Sequence, residues 1–276
     1  MRLKAEDYKW VIEVPDIELI VDSKNIDFTV SRFSDLTADV AHLVVWNLSE
    51  KDFLNIIQEN SKINLFLKTS NTEKFLLFSG YINPEYTKRE RSIINKTEDE
   101  TGTSDIKTIF KLSNSLPVYK NYYINKDYRE PVTSTQIIKD CADIMEAEIV
   151  ELNSAIPIKT YTTYKSIGKP HSVIQKICSA LNINVSIKSD VIYLSVPDPE
   201  NYSGEIPLFN KLNSKSPQYI SENEWNIMTD LVPNLKPNEL IECSFENLEG
   251  IFCVKNVVSY GNNYNKSGVT NITIRT

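Results

Sequence analysis

The sequence predicts an α+β protein in which two β modules flank a small α+β domain. Three observations predict it. Apolar residues alternate with polar ones along the first and last parts of the chain, the two-residue period of half-buried strands. In the middle, apolar residues recur instead at helical spacing, in two separate segments. A unit of Asn-Leu, spacer, strand, turn and strand occurs near both ends, at Asn47-Leu48 and at Asn234-Leu235, which suggests two related β modules. The divisions fall at residues 1–115, 116–200 and 201–276. By length alone, 276 residues suit two domains, with one or three also open. Such a chain can bury about 70–75% of its unfolded surface.

The first module begins with alternation at Ile17, Leu19 and Val21, then at Ile26, Phe28 and Val30. Residues 22–25 between them are turn-forming, so a hairpin is expected. Residues 43–46 continue as a strand. Ser49 is a good helix N-cap, with Asp52 three residues on, and Phe53, Ile56 and Ile57 share one face of a short helix. Ile63, Leu65 and Leu67 form a strand, residues 70–72 a turn, and residues 74–82 its mate. Residues 86–112 read as a long hairpin whose tip, 95–105, is polar and acidic and is expected to be ordered only by a partner.

In the middle, Thr133 or Ser134 caps a helix with Ile137, Ile138, Cys141, Ile144 and Met145 inward. A strand follows near 147–152. Val173, Ile174, Ile177, Cys178 and Leu181 define a second helix, followed by strands at 184–187 and 191–196 around a Ser189-Asp190 turn. Pro197 and Pro199 mark the exit. The last module has strands at 225–231, 240–245, 250–260 and 269–274.

Composition excludes several classes. Hydrophobic residues are 41% and charged residues 24%, ordinary for a globular chain. Only 7 glycines argue against a Gly-rich nucleotide loop. A net charge of -7 makes the chain a poor general binder of DNA or RNA, which need clustered cations. The densest apolar run, residues 75–78, is strand-sized, so no membrane insertion is expected. Residues 1–7 lack the apolar core of a signal peptide, so synthesis and retention in a cytoplasm, or release by lysis, is expected. No two cysteines form a C-x-x-C pair. Cys141 and Cys178 read as core residues. Cys243 and Cys253 are expected to face each other across a hairpin as free thiols.

Three stretches carry a resemblance. They are Ala41-His42-Leu43-Val44-Val45-Trp46-Asn47-Leu48-Ser49, Phe78-Ser79-Gly80-Tyr81-Ile82, and Leu231-Val232-Pro233-Asn234-Leu235-Lys236-Pro237-Asn238 followed by Gly250-Ile251-Phe252-Cys253-Val254. In them, and in the order of its elements, the chain resembles the baseplate hub proteins of contractile phage tails and related injection machines. Asn238 stands where that family usually has glycine. Asn also tolerates a positive φ, so the turn can survive. The resemblance implies tail-tube-like β-barrel modules, two per chain, and a homotrimer. Its six modules form a pseudo-sixfold ring joining a hexameric tail tube protein to a trimeric central spike protein, among other baseplate proteins. It implies a virion tail baseplate or tail-like particle, no catalytic residue, no metal and no cofactor. An acidic lumen would let DNA pass without sticking. Exposed strand edges would be templates for pairing between subunits, and a closed ring removes them.

Each candidate catalytic group also suits a simpler role. His171 and Cys178 lie two turns apart on one helix, too far for direct contact, and read as a helix start and a core thiol. His42 lies in an apolar strand. The carboxylates Glu98-Asp99-Glu100 and Glu222/Glu224 would suit a glycosidase only at a set separation in a groove, and read as solvated loops. In Lys88-Arg89-Glu90-Arg91, strand alternation puts Lys88 opposite Arg89 and Arg91, which suits a subunit contact better than nucleic acid. Tyr119, Tyr122, Tyr123 and Tyr128 form an aromatic cluster, read first as linker packing and otherwise as an interface. The residues expected at subunit contacts are Trp46, Lys88, Arg89, Arg91, Tyr122, Tyr123 and Trp225. Two other functions stay open: a tail-associated peptidoglycan-degrading enzyme or its anchoring module, and a hexameric distal tail protein.

Overall fold

The computed structural model describes residues 8–22, 25–58, 61–69, 73–92, 105–114, 122–151, 156–188, 191–196, 205–263 and 267–275. The chain is mostly β, with three α-helices among the described residues. The first part comprises β1 (Tyr8–Val14), β2 (Leu19–Val21), β3 (Ile26–Phe33), β4 (Val40–Trp46), α1 (Glu50–Gln58), β5 (Lys62–Thr69), β6 (Lys74–Ile82), β7 (Lys88–Ser92) and β8 (Asp105–Ser113). The middle comprises β9 (Ile124–Tyr128), β10 (Val132–Thr133), α2 (Ser134–Ile144), β11 (Glu148–Glu151), β12 (Thr160–Tyr161), β13 (Tyr164–Gly168), α3 (Pro170–Ala180), β14 (Asn184–Lys188) and β15 (Val191–Ser195). The last part comprises β16 (Leu208–Asn210), β17 (Gln218–Ser221), β18 (Glu224–Asp230), β19 (Leu240–Phe245), β20 (Leu248–Asn262) and β21 (Ser267–Arg275).

The first and last parts share one 14-stranded sheet, whose main path runs β17-β18-β21-β20-β3-β4-β8-β6-β5-β1-β2. The join is the antiparallel pair β20/β3, in register from Asn256↔Phe33 to Asn262↔Asp27. β20 is 15 residues long because it serves three neighbours: β19 along its first half, β3 along its second, and β21 from Cys253 to its end. The expected β modules are therefore halves of a continuous sheet.

Alternation drives the strands. β5 buries every second residue, with Ile63, Leu65 and Leu67 inward, and β3 does the same through Ile26, Phe28 and Val30. These residues join Trp10, Leu43, Leu48, Ile56 and Phe110 in one core. Trp10 of β1 meets Phe28 of β3 edge-on at 4.2 Å between ring centroids, so the sheet curls far enough for non-adjacent strands to touch. A second core lies in the middle part, around Ile137, Cys141, Ile174 and Cys178, and takes Leu36 from the first part. A third gathers Phe209, Ile227, Leu235, Ile241, Val257 and Ile272.

The expected hairpin at residues 17–30 does not form. β2 pairs with β1, and β3 pairs with β4 and β20. The reason is β1, whose apolar run directly precedes Pro15. Pro15–Ile17 make a 3-10 turn that ends at Glu18 in the left-handed region (φ 52), and this folds β2 back on β1. Cys243 and Cys253 are likewise not opposite: Cys243 faces Gly250, and Cys253 faces Leu240. Phe245↔Leu248 closes the hairpin, so only Glu246 and Asn247 form the turn and β20 starts before Gly250. The hairpin of β7 and β8 forms, and its expected tip falls mostly outside the described residues, as do the turns expected at residues 70–72 and 189–190.

The middle part is a tandem repeat of helix, turn and strand. α2 and α3 each have 11 residues. Each is followed by a left-handed residue at φ 54, Glu146 after α2 and Asn182 after α3, and then by a strand, β11 or β14. Thr133 caps α2, its side chain accepting from the Gln136 N–H at 3.2 Å. Pro170 opens α3, where a missing N–H costs nothing.

Candidate assembly interface

The three stretches that carried the resemblance are turns and joints. Trp46 ends β4 half-buried, its Nε1–H donating to Asp27 Oδ2 at 3.2 Å. Asn47 follows in the left-handed region (φ 57), and its side chain spans to β8, donating to Asp105 Oδ1 at 2.9 Å and accepting from the Ile106 N–H at 3.0 Å. Leu48 is buried, and Ser49 Oγ accepts from the Asp52 N–H at 3.0 Å, the expected cap of α1. Gly80 lies where β6 runs against the end of β8: a Cβ there would sit 2.5 Å from the Ser113 carbonyl oxygen. In the last part Pro233, Leu235 and Pro237 are buried. Asn238 takes φ 69, the conformation expected of a glycine substitute, and its N–H donates to the Val254 carbonyl at 2.8 Å.

An arginine grips each of these Asn-Leu turns. Arg89 donates to the Leu48 carbonyl at 3.2 Å, lies 3.7 Å from Glu50 and stands over the Phe53 ring at 5.7 Å. Arg32, on β3, donates to the Leu235 carbonyl at 3.3 Å and to the Leu77 carbonyl of β6. Arg32 thereby ties the last part of the sheet to the first. Burial lowers its pKa, opposed by the charges of Asp39 and Glu239.

The residues expected at subunit contacts are scattered. Arg89 is committed within the chain, and Lys88 is exposed on β7, which among the described residues pairs with β8 alone. The side chain of Arg91 and all of Tyr119 lie outside the described residues. Tyr122 packs on the middle core, whereas Tyr123 is 63% exposed. Trp225 meets Tyr219 edge-on at 5.5 Å. That contact leads to a feature missed in the sequence. β17 ends the sheet with every residue exposed, Tyr219 at 61% and Ile220 at 53%, and Leu212 beside this region is 95% exposed. At the opposite end β2 exposes Ile20 at 61%. The signal available was a short Tyr-Ile pair before a Glu-Asn turn, too brief for a periodicity argument.

The chemistry of the weighed catalytic groups is unremarkable. Burial pushes the Cys178 thiol up to about 12, and burial and Lys169 lower the His171 pKa, the opposite of an activated pair. His42 is exposed, and its pKa is lowered by partial desolvation and Lys111. Glu224 is engaged by Lys255, so Glu222 and Glu224 are not a free dyad. The run Glu98-Asp99-Glu100 lies outside the described residues. Among the described residues no group of three His, Cys, Asp or Glu could hold a metal ion, and no helix is long and apolar enough to cross a membrane.

Solved structures of phage tail proteins share this fold. The chain superposes on a 43 kDa tail protein of prophage MuSo2 from Shewanella oneidensis with a TM-score of 0.63 at 8% identity, over 96% of each chain. A tail protein from Neisseria meningitidis MC58 matches with a TM-score of 0.61 at 8% identity, over 98% of this chain and 97% of that one. The E. coli c3393 protein matches with a TM-score of 0.59 at 11% identity, over 95% of this chain and 76% of that one. That protein is a component of the type VI secretion system with structural similarity to the T4 tail proteins gp27 and gp5. At such identities the likeness defines the fold. No family model and no curated protein matches the sequence.

Proposed function

We propose that this chain is a structural baseplate hub protein of a phage tail or tail-like injection particle. In this reading three copies form a ring of six β modules that adapts a hexameric tube to a trimeric spike. The observation that carries it is the single sheet: two β halves joined by β3/β20 inside one chain, with open strands β2 and β17 at its ends. A sheet with two unlike open ends associates head to tail, and a rotation that closes gives a ring without edges. The units of this reading are residues 1–115, 116–200 and 201–276, and three separate cores support that division. The fold shared with tail proteins supports the setting. The role needs no bond chemistry, cofactor or metal.

The test is absolute mass by light scattering across a concentration range, alone and with candidate tube and spike proteins. A trimer near three times 31.6 kDa supports the hub. A hexamer redirects the assignment to a distal tail protein. A monomer that gains no mass with either partner, or turnover of peptidoglycan, overturns the proposal.

A further inference from the structure

β20 changes neighbours at one point. Cys253 is its last residue paired with β19, and Asn256 its first paired with β3. Between them the register with β21 shifts at a β-bulge around Lys255. A bulge interrupts the ladder and bends its strand. The passage from the last half of the large sheet to the first therefore runs through a joint with its own bend.

The middle part touches both sides of this joint. On the first half, residues 34–39 link β3 to β4, and their Leu36 is 1% exposed within the core that holds Ile174 and Cys178. The Leu36 N–H donates to Gln175 Oε1 of α3 at 3.4 Å. On the last half, Asn184 Nδ2 of β14 lies 3.9 Å from Cys253 Sγ. The loop that carries Leu36 is itself tied to the joint. Its Ser34 N–H donates to the Lys255 carbonyl at 2.9 Å, at the bulge. At its other end Asp39 Oδ1 accepts from the Phe33 N–H at 3.1 Å, and the Asp39 carbonyl accepts from the Asn114 N–H at 3.1 Å. Inside it the Thr37 N–H donates to Asp35 Oδ1 at 2.8 Å, which shapes the turn around Leu36. A short loop held at both ends leaves Leu36 little travel of its own. A shift of the middle part is therefore passed to the Phe33 end of the β3/β20 ladder, because packed interiors transmit strain.

We propose that the middle part is a brace across the β3/β20 joint, with Leu36 as its latch. Seated, Leu36 couples α3 to the bulge at Lys255 and limits bending between the halves of the sheet. Withdrawn, it leaves the joint looser, so a partner that moves the middle part changes how the halves lie. The coupling belongs to the single chain and holds whether or not the proposed ring forms.

The experiment is hydrogen exchange by mass spectrometry on the full chain, with wild type beside Leu36→Asp, Leu36→Ala and Gln175→Ala. All are compared at a concentration where light scattering gives them the same mass, which keeps changes in assembly out of the comparison. A carboxylate is expelled from an apolar core, so Leu36→Asp unseats the latch. Exchange should rise roughly tenfold or more at residues 31–34 and 255–258, and stay within about twofold in α2, α3, β5 and β6. Leu36→Ala and Gln175→Ala should move the same joint amides by less. If Leu36 only fills the middle core, exchange rises in α2 and α3 and the joint does not respond. That result, or no change in either place, overturns the proposal. If Leu36→Asp speeds exchange throughout the chain, the two milder variants decide: an effect at the joint no larger than in α2 and α3 overturns the proposal as well.

Discussion

Arg32 offers the sharpest test of how the two halves of the sheet are held. It is buried, at 7% exposure, yet carries a full charge. Its guanidinium donates to Leu77 in the first half and Leu235 in the last, and Asp39, itself buried, faces it electrostatically. Replacing it with leucine deprives two carbonyls of charged donors, at about 1–3 kcal/mol for each buried group left unsatisfied. It also removes the positive charge that Asp39 and Glu239 favour electrostatically. The leucine recovers roughly 1.5–3 kcal/mol by burying its own apolar surface. The expected net loss is about 2 kcal/mol, a fall of about 0.7 M in the urea midpoint at a slope of roughly 3 kcal/mol/M. The assay is urea unfolding followed by tryptophan fluorescence, which suits a chain with Trp10 and Trp46 in one half and Trp225 in the other. Arg32→Lys keeps the charge but lacks the planar fork, and should lose roughly half as much. A loss below about 0.5 kcal/mol for Arg32→Leu, within the range of ordinary surface substitutions, refutes the reasoning.

Three further expectations follow from the geometry. Gly80→Ala places a Cβ 2.5 Å from the Ser113 carbonyl oxygen, a backbone atom that cannot swing away, so thermal unfolding should show a loss of about 1–3 kcal/mol. Burial alone would raise the Asp140 carboxyl, but hydrogen bonds from Lys126 (2.7 Å), Tyr128 (2.6 Å) and Gln136 (2.9 Å) outweigh it and hold the pKa below the ordinary value. With a depressed folded pKa, the stabilisation is full above the unfolded value of about 4 and is lost as pH falls through the folded one; Asp140→Asn should flatten that acid limb in stability measured against pH. Burial pushes the Cys141 thiol up to about 11 and those of Cys178 and Cys243 up to about 12. A thiol reagent at mildly alkaline pH should therefore leave all three unmodified until the chain unfolds.

Local chemistry was legible in the sequence; partnership was not. The Ser49 and Thr133 caps, both amphipathic helices and the paired strands β5 and β6 follow from residue types at fixed spacing. The positive φ of Asn238 followed from one residue standing where glycine is usual. What was lost depended on contacts distant in sequence. β3 and β20 meet across more than two hundred residues, and nothing local distinguishes a strand that pairs with its neighbour from one that does not. Arg32 continues the inward series Ile26, Phe28 and Val30, where an arginine breaks the apolar pattern, and only the folded chain brings the Leu77 and Leu235 carbonyls to it. The exposed ends of the sheet were missed for a related reason: β2 and β17 have three and four residues, too short for a period to register. Trp46 and Arg89 read as interface residues, and an aromatic or an arginine can equally close a turn inside its own chain, as both do here.

The strengths of the joints set how the proposed ring should come apart. Within a chain the halves are joined by a ladder from Asn256↔Phe33 to Asn262↔Asp27 and by buried Arg32. Between chains of the proposed ring, the open ends among the described residues would offer Leu19–Val21 and Gln218–Ser221, with Ile20, Tyr219 and Ile220 as apolar contacts. Pairing strands this short buries few side chains, and association must also overcome the loss of translational and rotational freedom. Dilution should thus separate whole chains long before it separates the halves of one. A joint that is firm inside the chain and weak between chains also suits assembly in order. In the proposed ring each chain would present two modules, and a tube or spike that touched all three chains at once would add the missing stability through effective concentration. Tyr219→Asp with Ile220→Asp would then abolish trimers of the isolated chain and only weaken those held by partners. Substitution of Arg32 would act in both settings, because it loosens the joint inside the chain.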